Sequence, residues 1–89
     1  MSYMPPQMVL SPKSKVSNLD VVYDGGEGSW SLAKMTWDED PDAVGVRHNG
    51  GGTNIGTPQA RGIPMWFILP SELGLAATKV AQDLAKEQK

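Results

Sequence analysis

Residues 30–37 read Trp30-Ser31-Leu32-Ala33-Lys34-Met35-Thr36-Trp37. At the two-residue period of an extended chain, Trp30 and Leu32 point one way while Ala33, Met35 and Trp37 point the other. A strand that is apolar on both faces is covered on both. The stretch therefore predicts a strand inside a layered fold, and its neighbours say what the layers are.

Upstream, Asp24-Gly25-Gly26-Glu27-Gly28 is a turn, because Asp-Gly steps supply positive φ at low cost. Before it, Val16 to Tyr23 alternates as a first strand, with Leu19, Val21 and Tyr23 on one face and Asp20 opposite. Downstream, Asp38-Glu39-Asp40-Pro41-Asp42 makes the next turn. Val44 to His48 is a short third strand, with Val44, Val46 and His48 on one face and Arg47 on the other. Asn49 to Gly62 holds five of the ten glycines, a loop long enough to be functional or mobile. Met65 to Leu69 is the most hydrophobic strand and is expected at the centre of the sheet. Pro70-Ser71-Glu72 then opens a helix, with Ser71 as its cap and Glu72 complementing the dipole. Leu73, Ala76, Ala77, Val80 and Leu84 form one apolar stripe, and Lys86 and Lys89 suit the C-terminal end.

The order β-β-β-β-α predicts an α+β fold: a four-stranded twisted antiparallel sheet followed by one C-terminal helix. Residues 16–89 are expected as a single domain, and residues 1–15, with Pro5, Pro6 and Pro12, as a flexible N-terminal arm. One helix covers one face of a sheet. The other face, with its tryptophan and methionine, is left for a second subunit or a ligand, and a homodimer is expected.

Composition narrows the function classes. The chain has 89 residues, no cysteine, one histidine and a net charge of −2. Without cysteine there is neither a disulfide nor a thiolate zinc site, and one histidine cannot build an imidazole metal centre. No cofactor and no metal are expected. The N-terminus lacks the basic and apolar regions of a signal peptide, and no apolar run reaches membrane-helix length, so the expected location is cytoplasmic. The net charge argues against a general polyanion binder, although Asp38, Glu39, Asp40 and Asp42 gather much of the acid into one cluster.

No catalytic motif is complete. Gly50-Gly51-Gly52-Thr53-Asn54-Ile55 puts isoleucine where a dinucleotide loop needs its third glycine, and a strand follows where a helix should. Asp38, Asp40 and Asp42 match the first three ligands of a calcium loop. Ala43 and Asn49 then stand where its glycine and bidentate glutamate belong, so a solvated acidic turn is the better reading. His48 has no readable serine or carboxylate partner as a general base, and is read as structural or ligand-contacting. The expectation is a non-enzymatic binding module. Its three tryptophans are a surplus, read either as a dimer core or as a stacking platform flanked by cations. The candidate binding residues are Lys34, Trp37, Arg47, His48, Arg61 and Trp66.

Trp30 through Trp37, Val44-Gly45-Val46-Arg47 and Ile68-Leu69-Pro70-Ser71-Glu72-Leu73 together resemble the positive-cofactor-type transcriptional coactivator family. They look like its second strand, its hydrophobic-x-hydrophobic-arginine strand and its strand-to-helix junction, over roughly residues 16–88. The resemblance implies a dimer that binds single-stranded DNA across its sheet, through positions matching Lys34, Trp37 and Arg47. The family is richer in basic residues and lacks this glycine-rich loop. Gly56 to Pro70 also resembles short bacterial proteins with a Pro-Gln-x-Arg-Gly, Pro-x-Trp-Phe pattern, a likeness that implies no function. The alternative to nucleic acid is a homodimeric protein–protein interaction module.

Overall fold

The computed structural model describes residues 3–88. Lys89 and the first two residues of the expected arm lie outside them. The chain forms a one-turn 3-10 helix (Pro6–Met8), then β1 (Val16–Asp24), β2 (Trp30–Trp37) and β3 (Asp40–His48). After these come β4 (Gln59–Ala60), β5 (Ile63–Pro64), β6 (Phe67–Ile68) and the helix α1 (Ser71–Glu87). The main sheet is antiparallel throughout with strand order β1-β2-β3-β6, so the α+β architecture is the one the alternating patterns predict. β4 and β5 form a separate small hairpin across the end of the 49–62 segment and the two residues after it.

Several local expectations are corrected. The turn between β2 and β3 is only Asp38-Glu39, and both residues take positive φ, as a two-residue hairpin turn demands. β3 therefore starts at Asp40 and contains Pro41, which is tolerated because β6 joins this strand only from Gly45 onward. The Met65–Leu69 strand shrinks to Phe67–Ile68 and lies at the edge of the sheet, not its centre. Prolines at 64 and 70 bracket it, and Met65 instead bridges Ser11. In β1, irregularities in register follow Ser17 and Val21. The second moves Tyr23 to the face opposite Val21, where its ring lies 4.9 Å from that of Trp30.

The register assigns the two faces. Lys34 opposite Val44, Leu32 opposite Val46 and Trp30 opposite His48 share one face, and Ser31–Arg47, Ala33–Gly45 and Met35–Ala43 share the other. α1 crosses the first face. Gly74, Thr78 and Ala81 are its buried residues, and a Cβ on Gly74 would come within 3.2 Å of the Val44 Cβ. This contact corrects the expected stripe: Leu73 and Val80 are more than half exposed and Ala76 is exposed. Small residues win the sheet-facing position because they let the helix approach the strand closely. Ser71 is the first helical residue, makes no capping bond, and follows Pro70 as the N-cap.

The second face holds the main core, made by Ala33, Met35 and Ala43 with Val9, Val16 and Trp66. The expected free arm is therefore corrected at its centre. Pro6 is buried, Val9 has no exposed surface, and the Val9 carbonyl accepts a 2.8 Å hydrogen bond from the Trp66 indole. The face that the sequence pattern left for a partner is covered by the chain's own N-terminal segment and Trp66.

Candidate functional site

Alternation in β3 and the fold of the 49–66 segment distribute the six candidate residues over different surroundings. Lys34 and His48 are exposed on the helix face, and Arg61 is exposed in the turn between β4 and β5 at φ 53°. Trp37 is half-buried and packs on the margin of the core of the second face. Trp66 is 3% exposed and lies within that core. Arg47 is 2% exposed. The six do not converge on one surface: of the trio matching the coactivator family, only Lys34 is openly accessible.

Arg47 is occupied. Its Nη1 donates to the Met65 carbonyl at 2.5 Å and to the Pro58 carbonyl at 3.4 Å, and its Nη2 donates to the Ile55 carbonyl. The guanidinium suits this role because its planar fork presents several donors at fixed angles. Nε is buried with no partner, and burial holds the arginine pKa below its ordinary value. Reaching a phosphate would require giving up three carbonyls.

A second polar centre ties the two glycine-rich turns together. Ser31 Oγ donates to Asn49 Oδ1 at 2.8 Å, both residues being fully buried, and Asn49 Nδ2 donates to the Gly26 carbonyl at 2.9 Å. Asp24 Oδ1 accepts from the Gly26 amide at 2.8 Å, and Gly28 N–H donates to the Gly50 carbonyl at 2.6 Å. His48 Nδ1 accepts from the Gly50 amide at 3.2 Å, which fixes the proton of the neutral ring on Nε2. Gly50 and Gly56 take positive φ, and a Cβ on either would strike backbone of the other arm of the loop. The 49–62 segment is thus a knitted structure whose glycines serve close backbone approach.

Two concavities open on the surface, the first of them along α1. The first, of about 690 Å³, runs between the helix and the Asp38-Glu39 hairpin end and is lined by Lys34, Asp40, Asp42, Leu75, Thr78 and Lys79 among others. Its lysines and carboxylates are balanced, and Thr78 Oγ1 is committed to the Gly74 carbonyl at 2.7 Å. The second, of about 630 Å³, is a shallow and almost wholly apolar hollow formed by Trp30, Val46, Pro58, Phe67 and Leu69, with His48 and Thr57 at its margin. Leu75 and Lys79 mark the flank of α1 that faces the first concavity. At about 100° per residue, Leu73, Ala77, Val80 and Leu84 lie on the opposite flank. Phe67 is 59% exposed, Leu73 58% and Val80 53%.

Trp30, Phe67, Leu73 and Val80 are the residues that sequence reasoning did not place in a site. Phe67 was readable in principle, since it alternates with Trp66 and one of the two must face outward. The helix flank was not, because its apolar stripe reads as core. Among the described residues no group of three histidine or carboxylate side chains converges to hold a metal ion, and no helix is long and apolar enough to cross a membrane. Comparison with protein-family models, curated proteins and solved structures gives no significant match.

Proposed function

We propose that this protein is a small non-enzymatic binding module, and that its working surface is the apolar hollow together with the apolar flank of α1. The observation that carries the reading is the exposure of Phe67 in a hollow whose walls are almost entirely apolar, with Leu73 and Val80 also exposed on α1. Exposed apolar surface is stabilised by removal from water, and protein surfaces supply the matching area. The proposed partner is a second copy of this chain, in keeping with the coactivator resemblance and with an 89-residue chain that has no disulfide. The absence of cysteine fits a reducing cytoplasm.

Sedimentation velocity across a micromolar concentration series tests this. The expected result is a concentration-dependent dimer that Phe67→Asp and Val80→Asp each convert to monomer. A native chain that stays monomeric at hundreds of micromolar sinks the homodimer.

Trp30 and Phe67 both line the hollow, which supports a second reading, in which bases of single-stranded nucleic acid stack there beside His48. This predicts quenching of tryptophan fluorescence by oligonucleotides, weakening steeply with salt. No quenching at low salt excludes it.

A further inference from the structure

The residues between Ile55 and Met65 leave the body of the protein and return to it. Within them, Gln59, Ala60, Arg61 and Ile63 of the β4–β5 hairpin are exposed, whereas Pro64 is buried, as are Ile55 and Gly56 on the outgoing limb. One side chain reaches both limbs at its root. The Arg47 guanidinium takes the Ile55 and Pro58 carbonyls on the outgoing limb and the Met65 carbonyl on the returning limb. The other ties at the root are the paired amides and carbonyls of His48 and Thr57, the Met65 amide on the Pro58 carbonyl at 3.0 Å, and the bridge from Met65 to Ser11.

From this arrangement we infer that residues 55–65 form a strap that opens as one unit, with the Arg47 guanidinium as its latch. The latch has an unusual balance. Its charge is buried with neutral carbonyls and no carboxylate among its hydrogen-bond partners, and Nε has none at all. Closure therefore removes a full charge from water against dipoles alone, and opening returns it to water. Against that gain stand the three carbonyls that lose their donor and the buried apolar surface of Ile55 and Pro64, so the guanidinium holds the strap through its hydrogen bonds and not through its charge. Opening is local and draws on the low end of the protein's stability range. The strap also carries Thr57 and Pro58, which bound the apolar hollow, so its opening widens the proposed binding surface. That last consequence rests on the function proposed above, and the strap itself does not.

Native-state hydrogen exchange on the full chain tests the strap. In the native protein the Thr57 and His48 amides, whose hydrogen bonds join the strap to β3, are expected to exchange together, ahead of the amides in the β2–β3 ladder and with a weaker dependence on added urea. Arg47→Met is expected to speed them at least tenfold while changing the ladder less than threefold. Arg47→Lys, which keeps the charge and loses the fork, should fall between. Unchanged exchange at Thr57 and His48 in Arg47→Met overturns the latch. Uniform loss of protection across the protein overturns the separate strap, and so does a native protein whose Thr57 and His48 amides exchange only with global unfolding, a result that stands even where the variants do not fold. The sedimentation series run on Arg47→Met reads the hollow: a shift of threefold or more in the dimer constant supports the widening. An unchanged constant, or no dimer in any protein, overturns the widening and leaves the exchange result to decide the strap.

Discussion

Gly26 and Gly56 have nearly the same backbone angle, φ 84° and 88°, in different surroundings. A Cβ on Gly26 meets nothing within 4 Å, whereas one on Gly56 would overlap the His48 carbonyl and crowd the Arg47 guanidinium. Gly26→Ala isolates the conformational cost and is expected to destabilise by about 1 kcal/mol. Gly56→Ala adds backbone overlap and is expected to cost about 3 kcal/mol or more. Urea unfolding of the pair measures the difference; equal losses would mean that the loop yields to the added methyl. Glu39 presents the opposite case, a side chain held at φ 76° in a two-residue turn. Glu39→Gly removes that strain and is expected to stabilise by about 1 kcal/mol, offset in part by the greater freedom of glycine in the unfolded chain. A thermal melt that moves downward instead would show that the turn is not under strain.

At the scale of elements, period and punctuation carried most of the information. Alternation located β1 and β2, the Asp-Gly step located the first hairpin, and Pro-Ser-Glu located the start of α1. The face that α1 buries was not legible, because Gly74, Thr78 and Ala81 do not form a hydrophobic stripe. Their value is small volume, and that depends on how close Val44 lies, a tertiary fact that no helical wheel contains. The edge position of β6 and the role of Arg47 were hidden for a similar reason. Both follow from where the chain goes between residues 49 and 66, and glycine-rich composition reads equally as a mobile loop or as tight backbone packing. One pair of substitutions separates the expected helix face from the observed one. Ala76, in the predicted stripe, is exposed, and Ala81 has no exposed surface. Ala81→Leu is expected to cost about 1–3 kcal/mol through overpacking, and Ala76→Leu to fall within about 0.5 kcal/mol of the native protein. The reverse order in chemical denaturation would put the helix back on its predicted face.

The whole molecule is three layers, with α1 on one side of the sheet and the N-terminal segment with Trp66 on the other. This makes residues 3–10 part of the folding unit, although prolines and low periodicity make them read as a tail. Pro6 and Val9 are buried, Met4 is partly buried against the core cluster, and Trp66 loses its hydrogen-bond acceptor if the segment leaves. Burial of two or three such side chains is worth roughly 5 kcal/mol, counting about 2 kcal/mol for each. The lost indole bond adds about 1 kcal/mol or more, because the donor stays behind in an apolar site. A domain of this size has a total stability of order 5–10 kcal/mol, so the segment accounts for much of it. A chain beginning at Ser11 is therefore expected to lose its cooperative thermal transition, with Trp66 emission shifted to the red before any denaturant is added. Val9→Ala, the milder form of the same change, is expected to retain cooperativity at a cost of about 2 kcal/mol. A truncated chain that melts cooperatively within a few degrees of the native protein would return residues 3–10 to the status of an arm. It would also reopen the second face of the sheet to the partner that the residue pattern of β2 first called for.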